Sequence, residues 1–436
     1  VERGLDIAIN EYAPGRAIVV DKNTYQIGGL YYPGSERRTG RVSSPARTYI
    51  EDPNYLKNIV SCPKCGWFGL QSEVNDKCPF CGNTNLEFSR QMLRPWGFAP
   101  VNAEAIPDAQ LIEEYTYARQ PLYSTLPESE EMKKIDDYCN LRMASRTNQR
   151  IIMLNQGASQ RGFMVCKDCG AAFPGDDESV LKGLNRPYKS KYTKGKCDHR
   201  NSINVDLGYD FITDMLVLEI ALDDSVINTE RAENPWLPRA AQSMAEAFRL
   251  VASREMDVEF SELVTGYRQR KNPLGTFIDI YLYDSLSSGA GYAVSVSAII
   301  DEILAKVEEL LRGCDCESSC YNCLKHYRNQ YVHGLLDRFS ALDLLRWAKS
   351  GKRAEPLSFI TQKRLLLPLK GILEQSGYTF TFDDKLINIR KGNNKKKITI
   401  YPAMWSTPKN NGEIFVSDAL LKYAKPYALQ KIMDEF

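Results

Sequence analysis

Cys314-Asp-Cys316-Glu-Ser-Ser-Cys320-Tyr-Asn-Cys323 packs four thiols into ten residues of a 436-residue chain. Four thiolates this close can close a tetrahedron around one zinc ion or hold an iron–sulfur cluster. The spacing matches neither common ferredoxin run, so zinc is the preferred ion and iron–sulfur the alternative. Just upstream, Tyr292 to Leu311 reads as one long amphipathic helix, and a further helix follows over about Ser340 to Lys349. The four cysteines therefore sit between two helices, where a metal acts as a staple.

Working outward, eleven of the twelve cysteines fall into three such clusters, and only Cys139 stands alone. Cys62-Pro-Lys-Cys65, twelve residues beginning with Gly66, then Cys78-Pro-Phe-Cys81-Gly has the spacing of a zinc ribbon. Two residues between cysteines let a tight turn aim both thiolates at one ion, and the glycine after each pair supplies the permissive backbone. Four thiolates leave no open coordination position, so the site is expected to be structural. Cys166-Lys-Asp-Cys169-Gly is followed 27 residues later by Cys197-Asp-His199. Three thiolates and one imidazole make a second four-ligand set. Three zinc ions are expected, in a reducing compartment, the cytoplasm, because clustered pairs without an export signal bind metal rather than form disulfides.

The charge balance, 56 Lys and Arg against 55 Asp and Glu, excludes a protein whose whole surface attracts polyanions. Hydrophobic content of 43% excludes wholesale disorder, and no apolar run reaches the roughly 18 residues of a membrane span. The chain begins with Val1 and carries no signal-peptide core, which reads as a piece of something longer.

The expected fold class is α/β (α+β), multi-domain, with a zinc ribbon and further cysteine-rich zinc modules. Five stretches are expected: a small β-rich segment (1–57), the ribbon (58–100), an acidic connection (101–160), an α/β domain holding the other two metal sites (161–350), and a small α/β tail domain (351–436). In the first, Ala17 to Asp21 and Tyr25 to Leu30 read as strands around Lys22-Asn23-Thr24. In the α/β stretch, Phe211 to Leu222 and Thr276 to Tyr283 read as strands. Pro238 to Arg254 reads as a helix with Ala241, Met244, Ala245, Phe248 and Val251 on one stripe. In the tail, Tyr378–Phe382 and Lys397–Tyr401 read as strands, with a last helix near Ser417.

Four other constellations carry chemistry. Asp284-Ser-Leu-Ser-Ser-Gly289-Ala-Gly291-Tyr292 joins a strand to a helix, either as phosphate-contacting backbone or as plain turn geometry. Three basic runs suit nucleic-acid phosphates: Arg186, Lys189, Lys191, Lys194 and Lys196 with Tyr188 and Tyr192 between them; Arg37, Arg38, Arg41 and Arg47; and Lys395 to Lys397. With the aromatic Trp67 and Phe68 of the ribbon, they point to DNA, and Trp67, Lys189, Lys191, Lys194 and Lys196 are the expected contacts. Glu219, Asp279 and Asp284 lie on or beside strands, where a two-metal nuclease would place its acids and where solvent-facing acids also occur. His326 and His333 read as polar packing or caps.

Gly289-Ala-Gly-Tyr292, the long helix, and then Cys314-x-Cys316-x₃-Cys320-x₂-Cys323-Leu324 resemble the C-terminal zinc-binding (MZB) domain of MrfA-type superfamily 2 helicases. The module is also similar to the stand-alone zinc protein of DISARM anti-phage systems. Glu11-Tyr-Ala-Pro-Gly15 with Gly28-Gly29, and Phe163-x₂-Cys166-x₂-Cys169-Gly170, resemble further parts of the same family, so the likeness spans about residues 1–350. It implies a DNA-binding accessory region, acting on single-stranded or forked DNA beside a motor that is fused or separate. The chain has neither a Walker A lysine loop nor a DEAD-like box, so the resemblance implies no ATPase and no catalytic residues within it. The tail after about 352 matches no part of that family. The alternative is an interaction subunit that binds protein through the acidic 101–138 strip and touches no DNA.

Overall fold

The computed structural model describes residues 4–32, 46–101, 105, 122–124, 132–184, 197–230, 235–272, 274–286, 288–383, 386–408, 410 and 412–436. It is a mixed α/β structure whose chain divides into two compact units, Val1–Glu128 with Gln149–Ile212 and Ser129–Asn148 with Thr213–Phe436. The expected 161–350 domain is thus split at residue 212. Two long strands, Leu141–Asn155 and Ser202–Leu222, each run past a unit boundary, which no local turn signal announces.

In the first unit, Ala17–Val20 and Asn23–Tyr31 form a hairpin that continues to Gly97–Pro100. The turn falls on Asp21 and Lys22, both at positive φ, one residue earlier than the sequence suggests. Ile59–Ser61 is the centre of a three-stranded sheet with Phe68–Leu70 and Glu87–Phe88, the framework of the ribbon. Phe163–Cys166 pairs with Ala172–Pro174 on one side and with Ser202–Val205 on the other.

In the second unit, Gly275–Asp284 is the middle strand, pairing antiparallel with Met215–Leu222 and with Leu263–Asn272. Leu216, Leu218 and Ile220 alternate on one face with Ile278, Ile280 and Leu282 in register beside them. The helix Trp236–Glu255 buries its expected stripe, Ala241, Met244, Ala245, Phe248 and Val251, in the same cluster. The expected Tyr292–Leu311 helix is instead two, Tyr292–Ala298 and Ile300–Arg312, broken at Ile299. Ser295 and Ser297 donate their hydroxyls back to the carbonyls of Gly291 and Val294, competing with regular helix bonding, while Asp301 and Glu302 suit a new N-terminus.

The tail is a two-layer α/β structure with a core of its own. Tyr378–Asp383, Leu386–Lys391 and Asn394–Tyr401 form an antiparallel meander, and Glu413–Ser417 adds a parallel fourth strand. Leu366, Leu369 and Leu373 of Phe359–Gln375, with Leu420, Leu421, Ala428 and Ile432 of the last two helices, pack on its isoleucine face. It also docks within its unit: Tyr423 donates its hydroxyl to Asp337 at 2.9 Å, and Arg239 lies 3.5 Å over the Tyr423 ring.

Candidate metal centres

Each of the three clusters brings its four ligand atoms within 4.8 Å of one another. In the ribbon, Cys62 Sγ lies 3.5 Å from Cys81 Sγ and Cys65 Sγ lies 3.6 Å from Cys78 Sγ. A tetrahedral zinc with Zn–S of about 2.3 Å sets its sulfurs roughly 3.8 Å apart, so the cage has the size of one ion. A disulfide would need about 2.05 Å, which excludes cross-linking. Gly66 and Gly82, the glycines after the pairs, adopt φ of 72° and 69°, as such knuckles require. The Asn83 amide points at Cys62 Sγ from 3.5 Å, a second layer that holds a thiolate. The hydrogen bond shared with Cys65 draws Cys78 down to about 5 and pushes Cys65 up, so without a metal one thiolate of that pair is favoured, and an ion is needed to hold the other sulfurs charged.

Trp67 corrects an expectation. Its side chain is only 1% exposed, packed with Val60, Cys62, Cys65 and Cys78, and its ring fills the space where a Cβ on Gly69 would stand. An aromatic ring that packs a knuckle offers no face to a base. Lys189, Lys191, Lys194 and Lys196 lie outside the described residues, as do Arg37, Arg38 and Arg41. Arg47 pairs with Asp168 at 3.2 Å.

In the second cluster, Cys166 Sγ is 3.7 Å from Cys197 Sγ, and Cys169 Sγ is 3.5 Å from His199 Nδ1. His199 Nε2 donates to the Leu184 carbonyl at 2.9 Å. A carbonyl only accepts, so Nε2–H is the donor here, and Nδ1 is the nitrogen that faces the sulfurs and would bind an ion. Sequence spacing alone could not supply this partner, because Leu184 lies fifteen residues upstream of His199.

In the third cluster, Cys314 and Cys320 are 3.5 Å apart, Cys316 and Cys323 3.7 Å, and Cys320 and Cys323 3.8 Å. The Cys320 backbone N–H donates to Cys323 Sγ at 3.2 Å. Arg338 ties the knot to its helices by donating to the carbonyls of Cys316 and Leu311, each at 3.0 Å. Nothing in the local spacing marks Arg338, which the fold alone brings back to the cluster. His326 stacks on Phe260 and caps the following turn by accepting the Arg328 backbone N–H at 3.1 Å, and His333 hydrogen-bonds Asn329 at 2.9 Å, so the two histidines serve as a cap and as polar packing.

The strand-to-helix turn shows what its glycines are for. Asp284, fully buried, accepts hydrogen bonds from the backbone N–H groups of Ala290 (2.6 Å), Tyr292 (3.2 Å) and Ala293 (2.8 Å). The helix N-terminus that could have held a phosphate is filled by the chain's own carboxylate. Turn geometry wins over phosphate contact. Asp284→Ala leaves one buried and two part-buried backbone donors without their acceptor, at about 1 kcal/mol each, so urea unfolding should show a loss of about 3 kcal/mol. A loss under about 1 kcal/mol would mean that water replaces the carboxylate. Glu219 and Asp279 are also engaged: both bind Arg270, with Asp279 at 2.6 Å. Acids neutralised by an arginine and by backbone amides do not form the open carboxylate set of a two-metal nuclease.

Residues 240–324 match the family model described as the MrfA Zn-binding domain, MZB. The Druantia protein DruE of Escherichia coli (strain UMEA 4076-1) is 33% identical over 401 residues, 86% of this chain and 21% of that protein. The chain thus spans about a fifth of the length of that relative. Crystal structures of the DUF1998 helicase MrfA, one bound to DNA and one to DNA and AMPPNP, align at TM-scores of 0.31 and 0.25. Their identities are 15% and 12%, covering 52% and 49% of this chain and 24% and 23% of theirs. The third cluster lies wholly inside the matched stretch, on the helix and turn order from which the resemblance was read. Over residues 240–324 this chain thus matches the MrfA Zn-binding domain model, and within that stretch Cys314, Cys316, Cys320 and Cys323 bring four sulfurs together.

Proposed function

We propose that this chain is the zinc-stapled accessory region of an ATP-dependent superfamily 2 DNA helicase, working in anti-phage defence or DNA repair. The motor is a separate segment or chain, and this region grips single-stranded or forked DNA beside it. The observation that carries the reading is the third cysteine tetrahedron, set within the MrfA Zn-binding match and immediately after its helix. The likeness to a Druantia protein supports the defence setting. Zinc is proposed at all three clusters, one ion each, with every ligand position filled by protein, which suits a structural and not a catalytic metal. Reduced thiolates as ligands suit the cytoplasm.

Fluorescence anisotropy on labelled single-stranded and forked DNA tests the reading. Binding should weaken as salt rises from about 50 to 200 mM, because phosphate contacts release counterions. Flat anisotropy at low salt would overturn it and leave the protein-binding subunit. Metal analysis should find three zinc ions per chain, and the protein should be colourless; visible absorbance would instead mark iron–sulfur.

A further inference from the structure

We infer that the tail domain is a grip for the backbone of double-stranded DNA, through the sheet face its helices leave open. This rests on the reading that the chain handles DNA, and it moves the contact to a domain outside the family match. Residues 352–436 hold fifteen Lys and Arg against eight Asp and Glu, an excess of seven in a chain whose net charge is only +1. The rest of the chain is therefore slightly acidic, and positive charge is concentrated in this one small domain.

Strand alternation places that charge. Ile387, Ile389, Ile398 and Ile400 point into the core beneath the three helices. The opposite face consequently carries Thr379, Thr381, Asn388, Arg390, Lys395, Lys397 and Thr399, of which Thr379, Thr381, Arg390 and Lys395 are exposed. Register sets Arg390 directly across from Lys395, on the hairpin that turns at Gly392 and Asn393. Like charges opposed on an antiparallel pair are destabilising. Among the described residues neither has an acidic partner. Arg390 donates only to the Gly392 carbonyl, at 2.7 Å, whereas Lys396 pairs with Glu435 at 2.9 Å and Lys397 with Glu413 at 2.7 Å. The other acid of this face, Asp383, lies at the end of its strand away from the hairpin turn. A folded sheet that keeps two unneutralised cations face to face breaks a local rule, and such breaks are expected where a partner supplies what is missing.

The missing partner is a polyanion of regularly spaced phosphates. Around the two cations the side chains are threonine and asparagine, short hydrogen-bonding groups suited to phosphate and sugar. Single-strand binders add aromatic platforms for unstacked bases. On this face Phe415, in register with Thr399, is part-buried and edge-on to the buried Tyr401. Among the described residues no aromatic therefore stands beside Arg390 and Lys395 as a platform, and the surface favours a duplex, whose bases stay stacked on each other.

The test uses the full chain, a labelled DNA duplex of about 20 base pairs, and the matching single strand and RNA duplex, over about 50 to 200 mM salt. Arg390→Ala/Lys395→Ala should weaken duplex DNA binding about tenfold and reduce the salt slope by about 1.8, at roughly 0.9 per lost phosphate contact. Lys425→Ala/Lys431→Ala, which removes the same charge from the last helix, should change neither. Equal binding and slope for the first variant, an equal loss from the second, or tighter wild-type binding to single strand or RNA would each overturn the inference. In all three cases the wild type still binds nucleic acid, so the accessory-region reading survives. No binding of any DNA by the wild type would overturn both. Both variants change exposed or partly exposed side chains, and unchanged zinc content and far-ultraviolet circular dichroism confirm that they fold.

Discussion

A chain carrying Cys323→Ala is expected to lose one zinc ion and, with it, the ordered packing of the helices Ile300–Arg312 and Arg338–Ser350. Cys323 is fully buried, and its sulfur receives the Cys320 backbone N–H besides serving the cluster. The residues that share its hydrophobic cluster include Leu304, Val307, Leu311, Leu344 and Leu345, so the knot and the helix packing are one structure. A structural zinc contributes an apparent ~10–16 kcal/mol to folding, as much as or more than the ~5–15 kcal/mol of net stability of a whole domain. Removing one of four ligands leaves three thiolates that repel one another and an ion open to water. Metal analysis should fall by one equivalent, and hydrogen exchange across both helices should accelerate by several orders of magnitude. Chelation of the wild type should give the same exchange pattern. Retained zinc, or helices still protected in the metal-free chain, would show that the knot decorates a fold that stands without it.

How much of this was legible in the sequence follows from the range over which each signal acts. Metal ligands are read from short spacings, because a CxxC turn fixes its geometry within four residues. All twelve ligands accordingly fall together as the three sets that the spacing proposes. The stripe of Trp236–Glu255 was legible for the same reason: helical periodicity is local, and all five of its expected core positions are buried. What could not be read is set by distant pairing. The break at Ile299 depends on serine hydroxyls turning inward, the Leu184 carbonyl reaches His199 only after folding, and Arg338 returns to Cys316 from a later helix. An aromatic beside a metal knuckle looks the same in sequence whether it faces a base or packs the knuckle, as Trp67 does. The tail's open face needed the register of its strands, since Lys395 to Lys397 alternate between a buried and an exposed side.

The same dependence on pairing makes Arg270 the side chain whose loss should cost most among the ion pairs. Register places Glu219 beside Asp279, two acids on adjacent strands, and Arg268 and Arg270 on the third strand follow that line. Arg270 binds both carboxylates, is 7% exposed, and lies 4.3 Å over the Phe277 ring. Arg270→Met keeps the apolar contact but leaves two buried acids facing each other without that cation. Breaking a buried pair in this way costs about 3–5 kcal/mol, in contrast to the ~0–1 kcal/mol of an exposed pair such as Lys271–Asp224. The effect should depend on pH with a definite sign. Burial already lifts the Glu219 carboxyl above its ordinary value, although Arg270 opposes the rise. A carboxyl raised on folding contributes stability that is present below its unfolded pKa of about 4.3 and is lost as pH climbs through the folded value. Without Arg270 that folded value rises further, so the variant's deficit should be largest near pH 8 and shrink as pH falls toward about 5, where the acid binds a proton instead. Urea unfolding of both proteins across that range measures it. A deficit that stays constant with pH, or one below about 1 kcal/mol throughout, would mean that water or another arginine takes over the two carboxylates, and that the acids are not held by Arg270 in the way the register implies.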